Sequence, residues 1–364
     1  MQSSITCVAA YRTRLPLIRP YHLSLVTLEA FDSVVVRIQA HGKEGFGEAT
    51  DVPGYYTQSL SDAWKFVASH GPKLLGEDPQ AALVRMIEKG DVFSFTATPL
   101  LTALESLIES MSGAALTSLS LPLLGIVQGE TPGEFVADAE RLINDGYTAL
   151  KFKVGFEVVE DLNRVRHLQA HLTPGVELRL DANQGYNYSQ AQQFLEGLDP
   201  TGIELLEQPL EPEAWDEMTE LAKTSPVSLM LDEAITGDKD LDRTIETGCA
   251  KAVKFKLMKA GSLTHLEKLI EKALDADLKV ILGNGVATDI GCAHEAQVAA
   301  RVGLTAHAGE MNGFLKTTEH LLQPGLQAEK GNLLVPPGPL SVQWELVERF
   351  TQEGMSVGEI KTPG

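Results

Sequence analysis

The sequence predicts an α/β protein built on a parallel, TIM-like (β/α) barrel, with a separate α+β unit attached. Three observations predict this. Five apolar runs, TALKFK, VELRLDAN, GIELLEQP, VSLMLDEA and CAKAVKFK, each close on ionisable residues. The closing residues Lys153, Asp181, Glu207, Asp232 and Lys256 follow at steps of 28, 26, 25 and 24, one βα unit per step. The chain has 364 residues, more than the ~250 of a simple barrel, which leaves about 100 for a second unit.

Residues 1–115 read as the α+β unit. ITCVAAYRTRLPL, DSVVVRIQAHG and GKEGFGEAT are strand candidates. Helical spacing follows near 61–75, 80–88 and 98–111, with Asp78-Pro79 as a start signal. Two segments between these elements, Arg19 to Ser24 (including His22) and Asp51 to Tyr56, are loops whose Tyr21 and Tyr56 are candidates for substrate contact. The barrel is expected over 116–326, beginning at SLSLPLLGIVQ, with a first strand ending near 127. Thr131, Pro132 and Glu134 spell a helix start with capping-box spacing. Later helices carry apolar residues at three-to-four spacing, which puts His167, His171 and His265 on solvent faces and packs Trp215 on the barrel. KVILGNG is strand seven, where Asn284 could donate to a ligand. LTAHAGEMNGFLK holds the final strand, with Glu310 and Asn312 two apart and both able to face the cavity. Residues 327–364 are expected to return to the first unit.

Net charge is −20, which argues against nucleic acid and anionic membrane as partners. Three cysteines without metal-type spacing predict reduced thiols in a cytoplasmic protein. No signal peptide and no apolar run of ~18 residues is expected.

In a parallel barrel the strand C-termini share one rim, where active sites sit. Side chains two apart on a strand share a face. Lys151 with Lys153, Asp181 with Asn183, and Lys254 with Lys256 therefore point inward, while Phe152, Leu180, Leu206, Leu231 and Phe255 point to the helices. In a ring of eight, strands two and six face each other, so lysines approach one cavity from opposite sides with three carboxylates between them. Converging acids repel unless a cation neutralises them, and oxygen-only ligands favour Mg²⁺, with Mn²⁺ as an alternative. That set suits abstraction of a proton next to a carboxylate, where a Lewis acid stabilises the second negative charge of the enediolate. A lysine base needs its pKa lowered, and neighbouring like charges supply that.

At these residues the chain resembles the enolase superfamily, in its muconate-lactonizing-enzyme subgroup: Lys-x-Lys, Asp-x-Asn, Glu-Gln-Pro, Asp-Glu and Lys in order, the last followed by LMKAGS. The resemblance implies a modified (β/α)7β barrel and a capping domain closing over its mouth. It implies metal ligands Asp181, Glu207 and Asp232 and acid/base residues Lys153 and Lys256, with Lys151 lowering the pKa of Lys153. Asn183, Glu233 and Lys254 are expected to support these residues from behind. Strand seven lacks the histidine of the mandelate-racemase subgroup, and Gly261-Ser262 stands where the family often has Gly-Gly. Family members acting on dipeptides often carry an acidic-x-acidic pair near the last strand; here the second acid is Asn312. The expected partner is a small carboxylate substrate, and the family suggests a homo-oligomer. Two opposed bases favour a racemase or epimerase of an amino-acid derivative such as an N-acylamino acid or dipeptide. Cycloisomerisation and dehydration use the same set. A Schiff-base lyase through Lys153 would leave the three carboxylates unexplained, and a non-enzymatic binding protein would tolerate loss of both lysines.

Overall fold

The computed structural model describes residues 4–23, 26–88, 95–113, 117–283 and 285–360. The chain opens with three antiparallel strands, β1 (Ile5–His22), β2 (Thr27–Ala40) and β3 (Lys43–Thr50), then helices α1 (Leu60–His70), α2 (Pro79–Glu88) and α3 (Thr98–Ser112). Alternation along β2 sorts its apolar residues between two cores. Val34, Val36 and Ile38 pack on the three helices, while Val35 joins the core shared with the barrel. The sheet is thus sandwiched between its own helices and the barrel. α3 lies flat on β3 because Gly45 and Gly47 carry no side chain: a Cβ on Gly45 would stand 2.2 Å from the Ala103 carbonyl, and one on Gly47 2.2 Å from Thr102 Oγ1.

The barrel units follow in order. β4 (Leu119–Pro122) precedes β5 (Gly125–Ile126), α4 (Pro132–Asn144), β6 (Ala149–Lys153), α5 (Val158–Gln169), β7 (Glu177–Asp181), α6 (Tyr188–Gly197) and β8 (Ile203–Glu207). Then come α7 (Trp215–Thr224), β9 (Ser228–Leu231), α8 (Asp238–Thr247), β10 (Ala252–Phe255), α9 (Leu257–Ala260), α10 (Leu263–Asp275), β11 (Lys279–Leu282) and α11 (Asp289–Arg301). β5 to β11 form one seven-stranded sheet in chain order, with every described pairing parallel. Thr131 caps α4 with the reciprocal Glu134 bond that its spacing predicts. Leu205, Met230, Ala252 and Ile281 make an interior cluster, and their neighbours Phe152, Leu206, Leu231 and Phe255 join the outer core.

The eighth position differs from expectation. LTAHAGEMNGFLK holds a single parallel bridge, Gly309 to Leu123, and not a full strand. It still closes the ring, because Glu310 N donates to Leu282 O and Gly309 N donates to Pro122 O, each at 2.9 Å. β4 is not a barrel strand either: it pairs antiparallel with β14 (Asn332–Val335), itself the partner of β13 (Gln327–Glu329). After β12 (Leu322–Gln323), β15 (Ser341–Val342) and α12 (Trp344–Arg349), the last strand β16 (Thr351–Gly358) pairs with β1 at the edge of the first sheet.

Two further expectations are corrected. The Arg19 to Ser24 segment is not a loop up to His22: β1 runs through it, with Tyr21 opposite Leu28 and His22 opposite Thr27. Ser24 lies outside the described residues. His265 is buried, not on a solvent face. It sits at the start of α10, where Nδ1 bonds the Ala260 carbonyl and Nε2 bonds Asp238. His167 and His171 are exposed as expected, and Trp215 is buried against the barrel. Among the described residues no helix is long and apolar enough to cross a membrane.

Candidate active site

Two glutamates of the first unit fix it over the barrel. Glu48 on β3 accepts from Thr288 N (2.8 Å), Thr288 Oγ1 (2.5 Å) and Gly291 N (3.0 Å) at the start of α11. Glu105 on α3 accepts from Leu263 N and Thr264 N at the start of α10. Each satisfies donors that a helix N-terminus leaves open. The docking sets residues of the first unit against the C-terminal rim of the barrel.

One cavity lies there. Tyr21, Leu23, Val52, Tyr55 and Tyr56 line it from the first unit, and Ile126, Lys151, Lys153, Asp181, Asn183, Asp232, Glu233, Lys254, Lys256, Val286 and Glu310 from the barrel. Lys153, at the end of β6, donates to Asp181 Oδ2 (2.7 Å) and to Asn183 Oδ1. Lys256, after β10, meets Asp232 Oδ1 at 2.8 Å and also donates to the Tyr55 hydroxyl. The two amines thus reach one cavity from the second and sixth strands. Lys153 keeps 34% of its side chain exposed, whereas Lys256 is buried.

Below them lies a buried ionic layer. Lys151 Nζ contacts Asp181 Oδ2 (2.6 Å), Glu207 Oε2 (3.0 Å) and Glu310 Oε1 (2.9 Å). Lys254 Nζ contacts Glu310 Oε1 (2.7 Å), Glu207 Oε1 (3.0 Å) and Asp232 Oδ2 (3.4 Å). Burial would lower the Lys151 pKa, but three carboxylates outweigh it and the ammonium form is held well above its ordinary range. Lys254 moves the same way under Glu207 and Glu310. These two lysines therefore act as fixed cations. Asp181 is raised by burial but held at about 2 by Lys151, Lys153 and Lys254. Burial is likewise outweighed at Asp232, where Lys256, Lys254 and Lys259 hold the carboxyl well below its usual range. Glu207, central among the acids, is pushed by burial and by Asp181 to about 7.

Asp181, Glu207 and Asp232 offer only carboxylate oxygens, from three adjacent strand ends. Glu207 Oε2 is buried and accepts no hydrogen bond, although Lys151 Nζ is 3.0 Å away. This donor set fits a hard divalent cation. Among the described residues the three carboxylates are turned onto lysines and are not grouped as a closed cation cage.

Several expected roles change. Lys151 is saturated by carboxylates, so it does not stand beside Lys153 as an uncompensated like charge. Glu310 lines the cavity as expected, but one of its oxygens, Oε1, is already shared by Lys151 and Lys254. Asn312 does not face the cavity: its Nδ2 donates to Leu124 O and its Oδ1 accepts from Lys316. Tyr56 lines the cavity, but its hydroxyl lies 4.0 Å from Met258 Sδ and its ring stacks on Phe95. Asn284 lies outside the described residues. Asn183 and Glu233, expected behind the catalytic residues, line the cavity beside Lys153, with Asn183 Nδ2 donating to Glu233 Oε1 at 3.1 Å.

Four residues were missed. Tyr55, next to Tyr56 in the segment already singled out, donates from its hydroxyl to Asp232 Oδ1 at 2.9 Å, and Lys256 lies 4.2 Å from its ring centre. Gln208, inside Glu-Gln-Pro, takes a φ of 37° and accepts from Asp232 N and Ala234 N, which fixes the turn that aims Asp232. Lys259, one turn after Lys256, donates to the Asp232 and Ile235 carbonyls; burial and then Lys256 bring it down to about 8 despite Asp232. Lys316 had no signal in the sequence.

A family model described as enolase C-terminal domain-like matches residues 134–345. An L-Ala-D/L-Glu epimerase of Bacillus subtilis is 28% identical over 305 residues, 79% of this chain and 83% of that one. Muconate cycloisomerase 1-1 of Acinetobacter lwoffii is 26% identical over 360 residues, 94% of each chain. Among solved structures, a dipeptide epimerase of Cytophaga hutchinsonii complexed with Mg and D-Ala-L-Val superposes with a TM-score of 0.87 at 22% identity, covering 98% of this chain and all of that one.

Proposed function

Since this chain belongs to the enolase superfamily, through its enolase C-terminal domain-like family and muconate-lactonizing-like subgroup, and is an isomerase, we propose that it inverts a carbon next to a carboxylate by moving one proton between Lys153 and Lys256. The observation that carries this is the pair of amines entering one cavity from opposite strands, each on its own carboxylate, Asp181 and Asp232. The favoured substrates are amino-acid derivatives, N-acylamino acids or dipeptides.

Asp181, Glu207 and Asp232 would hold Mg²⁺. When bound, that ion supplies Lewis-acid stabilisation of the charge that forms on the substrate carboxylate. The residues of the chain do the rest. Lys151 and Lys254 hold Glu207 in place by ion pairs and help keep Asp181 and Asp232 ionised. Asn183, anchored by Glu233, orients the Lys153 amine, and Tyr55 orients that of Lys256. Leu23, Val52 and Val286 wall the cavity with apolar surface, which excludes water from the reacting carbon. One lysine takes the α-proton from one face, and the other delivers a proton to the opposite face.

The test is ¹H NMR in D₂O with Mg²⁺ and a panel of N-acylamino acids and dipeptides. Exchange of the α-proton with loss of optical purity is expected, and EDTA should stop both. Binding without exchange across the panel would overturn the proposal. A muconate-type cycloisomerisation is the second reading, favoured by the relative that spans 94% of this chain. It would show as loss of dienoate absorbance with no exchange on the amino-acid panel.

A further inference from the structure

A second cavity adjoins the first. The two share Tyr21 and Ile126 as a common wall, and the second is also lined by Arg19, Asn312 and Lys316. At the shared wall, three polar atoms gather over Gly285. A methyl group placed on that residue would stand 3.3 Å from Asn312 Oδ1, 3.5 Å from Lys316 Nζ and 3.6 Å from the Tyr21 hydroxyl. Gly285 has φ +68° and leaves this space open.

Lys316 is half-buried, and its described partners are neutral: the Gly285 carbonyl at 2.8 Å, Asn312 Oδ1 at 2.6 Å and the Tyr21 ring, 4.5 Å to its centre. Two of its three N–H bonds are thereby used. An ammonium whose described partners are all neutral keeps its full charge and one free N–H direction, and so attracts an anion that is not part of the protein even in a chain of net charge −20. Its near neighbour Asn312 has its acceptor turned to Lys316 and its donor turned to Leu124 O, so no carboxylate of this strand end competes for the position.

We propose that Lys316, with the Tyr21 hydroxyl, forms an anion subsite over Gly285 that receives a second carboxylate of the substrate, so that the enzyme prefers dicarboxylate amino-acid derivatives. This rests on the reading that the catalytic cavity acts on a carboxylate. The second carboxylate can belong to the amino-acid side chain or to the N-acyl group, and matched probes separate the two. N-acetyl-L-glutamate against N-acetyl-L-glutamine places the charge on the side chain. N-succinylglycine against its terminal carboxamide places it on the acyl group.

Calorimetric binding is measured in Mg²⁺ for each pair, with α-proton exchange in D₂O alongside. In at least one pair the carboxylate member should bind about tenfold or more tightly than the carboxamide. In Lys316→Met that preference should fall to about onefold, Lys316→Arg should restore most of it, and Tyr21→Phe should reduce it. Equal binding within both pairs, binding of no probe, or a preference that survives Lys316→Met overturns the subsite. So does a variant in which both members weaken together, which marks a structural role. A lysine-dependent preference without exchange of any probe would keep the subsite and overturn the isomerase reading; exchange without preference would do the reverse.

Discussion

Replacing Glu48 by glutamine tests how the first unit is docked on the barrel. Glu48 is buried and takes three hydrogen bonds from the start of α11. Burial raises its pKa from an ordinary 4.5 to about 7, with Asp289 adding and the Thr288 and Gly291 bonds opposing. The folded state therefore holds a proton on Glu48 that the unfolded state has released between those two values. The stability linked to that proton is complete below about 4.5 and is lost as pH rises through about 7. At ~1.36 kcal/mol per pH unit the loss is roughly 3 kcal/mol. The positive end of α11 favours the charged carboxylate by about 0.3–2 kcal/mol, which leaves about 1 to 3. Glutamine mimics the protonated acid at every pH, and its amide can donate to Thr288 Oγ1 once that hydroxyl turns. Urea unfolding of both proteins from pH 4.5 to 8 should give similar stabilities at the acid end and a Glu48→Gln variant more stable by about 1–3 kcal/mol at pH 8. A difference that stays flat, or a wild type that gains on the variant as pH rises, would refute the reasoning and mean that the helix terminus outweighs burial.

Tyr55→Phe removes the hydroxyl shared by Lys256 and Asp232; kcat should fall about tenfold or more with KM changed less, and its melting temperature should stay within a few degrees of wild type. Arg179→Met breaks a buried pair on the barrel floor, where Arg179 Nε meets Glu204 Oε2 at 2.5 Å and Nη1 donates to Ala308 O at 2.6 Å. It leaves Glu204 with Lys279 alone, so denaturant unfolding should show a loss of about 3–5 kcal/mol, and an unchanged midpoint would count against it.

The barrel and the ionisable ring at its rim were legible because charge at the end of an apolar run has no place in a core. Repeated at βα spacing, from Lys153 to Lys256, it defines a common rim. What was not legible depended on contacts distant in sequence or on the turn of a single residue. The sequence does not show that Glu310 Oε1 is shared by Lys151, 159 positions away, and Lys254. Asn312 shares a period-two spacing with Glu310, but with only a bridge at the eighth position, alternation does not govern where it points. Tyr55 and Tyr56 are adjacent, and only the fold of their turn decides which hydroxyl reaches Asp232. His265 fits a helical pattern on an exposed face, yet in the first turn of α10 its ring bonds Ala260 O at the end of α9 and Asp238 at the start of α8.

The central claim, two lysines working on opposite faces of one carbon, is tested most directly with single enantiomers of a substrate in D₂O, using Lys153→Ala and Lys256→Ala. Each variant should lose inversion but keep α-proton exchange for one enantiomer, and the retained enantiomer should be opposite in the two. If both variants lose exchange with the same enantiomer, or either still inverts the carbon, the two-base account is contradicted.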